Sequence, residues 1–95
     1  MKKIMVIGAG GIGSFLIPLL NRVKEYEITV WDNDIVEEKN LSYQDFNAED
    51  VGEHKTDVMA KRYDTVASQP YRVLTKKQME GYDLVVCCVD NLELR

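Results

Sequence analysis

Apolar residues along the chain change their spacing several times, and each change predicts an element. Ile4-Met5-Val6-Ile7 is a continuous apolar run, which predicts a first strand over 3–7, buried on both faces. After a glycine-rich turn, Ile12, Phe15, Leu16, Leu19, Leu20 and Val23 recur at helical spacing and predict an amphipathic helix over 11–24, kinked at Pro18. Glu27-Ile28-Thr29-Val30-Trp31, rich in β-branched and aromatic residues, predicts a second strand ending at Asp32. From Asn33 to Gly52 the pattern is polar and irregular, with one helical turn near 36–40 and a capped turn at Asn47-Ala48-Glu49-Asp50. A loop of that length in a small domain points to function. A second helix is expected over 53–67, with Met59, Tyr63 and Val66 on one face. Tyr71-Arg72-Val73-Leu74 reads as a third strand and Thr75 to Gly81 as a polar turn. Asp83 to Val89 is apolar on both faces and reads as a central, parallel fourth strand, after which Asp90 caps the start of another helix.

Alternating strands and helices predict a single α/β domain over 1–95, Rossmann-like, with about four parallel strands in the order 3-2-1-4. Right-handed crossovers place both helices on one face of that sheet. Little chain is left for the other face, so it is expected to be an oligomer interface, here a homodimer, or the chain is a truncated piece of a longer doubly wound domain.

The turn between the first strand and helix is Gly8-Ala9-Gly10-Gly11-Ile12-Gly13, a Gly-x-Gly-x-x-Gly in the strand–turn–helix context that gives this pattern meaning. Gly8 takes the tight turn, Gly10 lets backbone approach a phosphate, and Gly13 lets helix and strand pack closely. The helix N-terminus then offers free N–H groups to an anion. Asp32 follows Gly13 by 19 residues, where a carboxylate accepts hydrogen bonds from ribose hydroxyls. Nucleotide binding is the chemistry these residues predict.

Composition narrows the partners. A net charge of −4 with no basic run longer than two residues argues against nucleic acid and anionic membranes. The Met1-Lys2-Lys3 start resembles a signal peptide, but the glycines interrupt its apolar run and no small-residue cleavage site follows. Cys87 and Cys88 are adjacent, which suits neither a disulfide framework nor a metal site and fits a reducing cytoplasm. On a strand they alternate faces, so at least one is expected in the core.

Four blocks together resemble the ThiF-type adenylyltransferases, the fold of ubiquitin-activating enzymes and sulfur-carrier activators. They are Gly8 to Ser14; Asp32-Asn33-Asp34-Ile35-Val36-Glu37-Glu38-Lys39-Asn40-Leu41-Ser42-Tyr43-Gln44; Val51-Gly52-Glu53-His54-Lys55; and Val89-Asp90-Asn91 with Arg95. The second block is the most specific, since ordinary dehydrogenases lack Asp-x-Asp-x-Val-x-x-x-Asn-Leu after their second strand. The resemblance implies ATP and magnesium as cofactors and the C-terminus of a ubiquitin-like or sulfur-carrier protein as partner. It implies nucleotide contacts from Gly8, Gly10, Gly11, Gly13, Asp32, Asp34, Asn40 and Lys55. Asp32 would take the ribose, Asn40 and Lys55 the phosphates, and Asp90 the magnesium ion, with Lys55 and Asp90 as the catalytic pair. The implied reaction, attack of a carboxylate on the α-phosphorus, needs little proton transfer and so rests on positioning and charge neutralisation.

Two departures stand out. The family has an arginine where this chain has Tyr43, and a tyrosine cannot neutralise a phosphate or form a bidentate fork. A second family arginine, contributed across a dimer from a segment before the first strand, has no counterpart in these residues. Losing two cations around a triphosphate predicts a loss of several kcal/mol of transition-state stabilisation. Two other readings compete. A nicotinamide-dinucleotide oxidoreductase domain shares the glycines and Asp32 but gives no reason for Asn40-Leu41, Gly52-x-x-Lys55 or Asp90-Asn91. A non-catalytic interaction module that kept the fold would explain Tyr43.

Overall fold

The computed structural model describes residues 1–94. Four parallel strands, β1 (Lys2–Ile7), β2 (Tyr26–Trp31), β3 (Val66–Gln69) and β4 (Leu84–Cys87), form one sheet in the order β3-β2-β1-β4. Helices α1 (Gly13–Leu20) and α2 (Lys55–Arg62) connect β1 to β2 and β2 to β3. The molecule is a slab 17 Å thick in its shortest dimension, the depth of a sheet with one full helical layer. Sheet order, parallel pairing and the α/β class agree with the sequence-based expectation.

The principal core lies on the helical face, where Ile4, Val6, Ile28, Val30 and Val66 of the strands meet Ile17 of α1 and Val58 and Met59 of α2. The long loop after β2 joins this core through buried Val36 and Phe46. Arg62 at the end of α2 holds that loop down, donating from Nη1 to the Asp45 carbonyl at 2.6 Å and from Nη2 to Asp50 Oδ2 at 2.5 Å. Its guanidinium lies over the Phe46 ring, 5.8 Å from the centroid. The capped turn at Asn47 is present as a 3-10 turn, Ala48–Asp50, with Asn47 N–H donating to Asp50 Oδ2 at 2.8 Å. A second such turn spans Glu38–Ser42.

Several expectations are corrected. α1 ends at Leu20, four residues early, and its expected apolar face is not the face that packs. Gly13, Ser14 and Ile17 are buried, while Ile12, Phe15 and Leu19 are 70%, 50% and 58% exposed. The cause is how closely α1 approaches β1: a Cβ on Gly13 would stand 1.9 Å from the Gly8 carbonyl oxygen. Only a small-residue face fits that near, so Gly13 and Ser14 turn inward and the bulky residues turn out.

The third strand is Val66–Gln69, overlapping the end of the helix expected over 53–67, and not Tyr71–Leu74; that helix spans only Lys55–Arg62. β-branched Thr65 and Val66 disfavour another helical turn beyond Arg62, and Pro70, without an N–H, ends the strand. Ser68 anchors β3 to α2 by donating to Asp57 Oδ1 at 2.5 Å and accepting from the Thr56 hydroxyl at 2.9 Å. β4 is parallel, as expected, but it is an edge strand among the described residues, and Leu84 is 53% exposed. Among the described residues no helix starts at Asp90, and residues 91–94 have no regular secondary structure.

The far face of the sheet is covered better than expected. Met5 and Ile7 are buried against Val73, with Met79, Tyr82, Leu92 and Leu94 packed around them. Trp31 adds a tie by donating from Nε1 to the Tyr82 hydroxyl at 3.2 Å. Residues expected to form the third strand thus serve as a cover for the central strand.

Candidate functional site

The glycine turn sits at the C-terminal end of β1, the edge at which open α/β sheets place their ligands. Gly8 has φ of +100°, a left-handed conformation costly for any side chain, and a Cβ there would lie 2.7 Å from Val89 Cγ1. Its N–H donates to the Trp31 carbonyl at 2.8 Å, closing the end of β1 onto β2. Gly11 faces outward, where a Cβ would meet nothing within 4 Å, while a Cβ on Gly10 would lie 3.5 Å from the Gln44 carboxamide nitrogen. Helical bonding starts at Ser14, whose N–H donates to the Gly10 carbonyl at 2.9 Å. The preceding amides are at the helix end that opens on the cleft.

Asp32 links the two halves of this edge. Its Oδ2 accepts from Ala9 N–H and its Oδ1 from Asp34 N–H, both at 2.8 Å. Asp34 in turn reaches the start of α2 twice, its carbonyl accepting from Lys55 N–H at 3.1 Å and its Oδ2 lying 3.7 Å from Lys55 Nζ. Lys55 is 5% exposed, unusual for a lysine, and it is placed there by being the first residue of α2. Its ammonium is paired in charge with Asp34 at a separation longer than a hydrogen bond, which leaves its N–H groups free for another acceptor.

Of the residues singled out in the sequence, Gly8, Gly10, Gly11, Asp32, Asp34, Lys55 and Asp90 line one cleft of about 400 Å³, together with Tyr43, Gln44, Cys88 and Val89. Gly13 lies behind the cleft as the helix–strand contact. Asn40 is not in the lining. Its side chain is 3% exposed, accepts from Glu37 N–H at 2.8 Å and donates to the Tyr43 hydroxyl at 3.4 Å. It shapes the loop that carries Tyr43. Arg95 lies outside the described residues.

A second cavity of about 280 Å³ adjoins the first, sharing Gly8, Asp32, Asp34 and Val89, and is walled by Trp31, Tyr71, Arg72, Val73 and Leu92. Sequence reasoning missed Tyr71, Arg72 and Leu92. Read as strand and helix positions, they gave no sign of meeting at the end of β2; Pro70 was the only local signal of a turn there. Cys88 packs toward the helical core, and burial, reinforced by the neighbouring Cys87 sulfur, raises its thiol pKa above the usual value. A raised pKa keeps it a protonated, poorly nucleophilic thiol. Cys87 is exposed on the edge strand.

A parallel sheet in this order, with a glycine turn and a carboxylate closing the end of its second strand, defines a Rossmann-like α/β fold. The chain belongs to the ThiF family, whose model matches residues 1–95. It is 35% identical to the adenylyltransferase and sulfurtransferase UBA4 of Yarrowia lipolytica, over 99% of this chain and 26% of that protein. It is 30% identical to ubiquitin-like modifier-activating enzyme 5 of Oryza sativa subsp. japonica, over 98% of this chain and 27% of that protein. Among solved structures it resembles the E. coli tRNA N6-threonylcarbamoyladenosine dehydratase TcdA in complex with ATP. There the TM-score is 0.88 at 29% identity, covering 97% of this chain and 42% of the other. The chain thus spans about a quarter of the length of these curated relatives. No helix among the described residues is long and apolar enough to cross a membrane.

Proposed function

We propose that this chain is the nucleotide-binding part of a ThiF-type adenylation domain, which binds ATP and activates the C-terminal carboxylate of a ubiquitin-like or sulfur-carrier protein. The observation that carries the reading is Lys55, a buried lysine whose ammonium reaches a cleft bounded by open glycine backbone. The ATP complex of TcdA and the adenylyltransferase name of the UBA4 relative support it.

In this reading the triphosphate lies along Gly10 and Gly11 with Lys55 donating to its oxygens. The ribose meets Asp32, whose oxygens keep lone pairs beyond those used by Ala9 and Asp34. The adenine enters the cavity walled by Trp31, Tyr71, Val73 and Leu92. A carboxylate oxygen of the partner attacks the α-phosphorus, the bond from that phosphorus to the oxygen bridging toward the β-phosphate breaks, and pyrophosphate leaves. The product is an acyl-adenylate, and no proton is transferred.

Asp32, Asp34 and Asp90 make the cleft acidic, so a bound triphosphate needs further positive charge. Among the described residues no three His, Cys, Asp or Glu side chains converge to hold a metal unaided. Asp90, alone at the end of β4, suits magnesium, which is held by one or two carboxylates plus phosphate oxygens. Magnesium would supply charge neutralisation there. Calorimetric titration with ATP is expected to show binding that depends on magnesium, and Asp90→Asn is expected to remove most of that dependence. Binding of NAD and not ATP would overturn the reading in favour of a dinucleotide oxidoreductase domain.

Tyr43 at the mouth of the cleft favours a second reading, a non-catalytic module that binds nucleotide or partner without adenylating it. Pyrophosphate exchange with carrier proteins separates the two. The proposal also includes a homodimer through the far face of the sheet, where Trp31 and Val85 stay half-buried at the margin of the cover. Light scattering tests this, and a monomer at all concentrations would remove the homodimer.

A further inference from the structure

Val66 of β3 is buried in the helical-face core, and Ser68, two residues on along the same face, stands opposite Val30 of β2. A strand face packed on a helix ordinarily carries an apolar residue there. The serine instead brings a hydroxyl to the first turn of α2, where it donates to Asp57 Oδ1 at 2.5 Å and accepts from the Thr56 hydroxyl at 2.9 Å. Thr56 is fully buried, so its hydroxyl has no solvent to turn to. Among the described residues, Ser68 is the one sheet residue that hydrogen-bonds side chains of that turn.

Lys55 is the residue before Thr56 and begins α2. Its own ties run to Asp34, from its N–H to the carbonyl at 3.1 Å and from Nζ to Oδ2 at 3.7 Å. Asp34 belongs to the loop after β2, so these ties hold Lys55 to a loop and not to the sheet. Val58 and Met59 of α2 meet the sheet through apolar contact, which is non-directional and lets a helix slide or roll. Two hydrogen bonds to adjacent residues, one donated and one accepted, define a single setting, and a fully satisfied polar cluster stiffens the packing around it.

We propose that Ser68 is a positioning residue for Lys55. By gripping Thr56 and Asp57 it sets the height and roll of the first turn of α2 on the sheet, and so the point at which the Lys55 ammonium enters the glycine cleft. Ser68 itself does not line that cleft and acts only through the lysine. The inference takes the role of Lys55 from the adenylation reading and adds what holds the residue in place. Lys55 is only 5% exposed, so a small shift of its backbone origin either withdraws the ammonium from the cleft or releases it to solvent.

Ser68→Val and Ser68→Thr form the test, since the two side chains share a shape and differ in the hydroxyl. Lys55 is read first without nucleotide, by brief acetylation with an N-hydroxysuccinimide ester of acetate and mass spectrometry, well below the melting range and with Lys61 of the same helix as internal standard. Labelling of Lys55 is expected to change severalfold in Ser68→Val and to stay at the parent value in Ser68→Thr. Mg·ATP affinity in calorimetry is expected to fall about fivefold in Ser68→Val, because a displaced ammonium loses part of a charge-assisted hydrogen bond, and to return in Ser68→Thr. In a Lys55→Met background Ser68→Val is expected to change the affinity no further. A role confined to stability predicts unchanged Mg·ATP affinity in Ser68→Val, and that outcome overturns the proposal while leaving the adenylation reading intact. A fall of equal size in both backgrounds overturns it as well, since Ser68 would then act by a route other than Lys55. If the parent binds no ATP with or without magnesium, the adenylation reading fails, and the labelling alone decides the positioning: a value equal to the parent in Ser68→Val overturns it. Should Ser68→Val not fold, Ser68→Ala is read in the same way.

Discussion

Replacement of Lys55 by methionine is expected to weaken Mg·ATP binding by about 30- to 100-fold while shifting the melting temperature by only a few degrees. The scale follows from the net value of hydrogen bonds to charged groups, about 1.5–3 kcal/mol each, for an ammonium that has no close acceptor of its own. Nζ is 3.7 Å from Asp34 Oδ2, so the ammonium is held in place by charge without being consumed by a hydrogen bond. Methionine keeps the apolar stem that packs in the core. It leaves Asp34 unpaired, but that carboxylate is 65% exposed and is solvated at little cost. Calorimetric titration of both proteins, with Lys61→Met as a control for loss of a surface lysine, makes the measurement. Equal affinity for parent and Lys55→Met would remove Lys55 from the site and with it the observation on which the proposed function stands.

Gly13→Ala is expected to destabilise the protein by more than about 4 kcal/mol, most of the stability of a domain this size. Its Cβ would stand 1.9 Å from the Gly8 carbonyl oxygen and 2.8 Å from the Gly8 carbonyl carbon. Both are backbone atoms of a turn already fixed by Val89 and Trp31, so neither can move aside without parting α1 from β1. Gly11→Ala is the matched control, because nothing lies within 4 Å of its would-be Cβ. Urea denaturation of the pair should show Gly13→Ala largely unfolded in buffer and Gly11→Ala close to the parent. A Gly13→Ala variant within 1 kcal/mol of the parent, an amount well inside ordinary single-substitution effects, would mean that the helix can retreat from the strand.

These two glycines mark how far the chain could be read. Gly8 and Gly13 do what their spacing implied, since a tight turn and a close contact are local demands of a strand–turn–helix. Asp32 stands where its distance from Gly13 placed it, and Lys55 and Asp34 meet it at the same edge. α2 and β3 were harder. Val66-Ala67-Ser68-Gln69 has little of the apolar signature of an inner strand, and its place in the sheet depends on hydrogen bonds to β2 and on Ser68 reaching α2. The outward turn of Ile12, Phe15 and Leu19 was equally unreadable, because periodicity finds an apolar stripe without saying whether that stripe or its small-residue neighbour faces the sheet.

By itself, then, the sequence determined the α/β alternation and the glycine-and-carboxylate edge, which follow from short-range spacing, and the strand order is the usual one for such an alternation. Only the tertiary structure decided which face of α1 is buried, where β3 lies, and that Tyr71, Arg72 and Leu92 wall a cavity beside Asp32. It also put the Gln44 carboxamide under Gly10 and turned Asn40 inward to hold its own loop. Those outcomes depend on contacts between residues far apart in the chain, whose energies exceed the local preferences that a sequence pattern records.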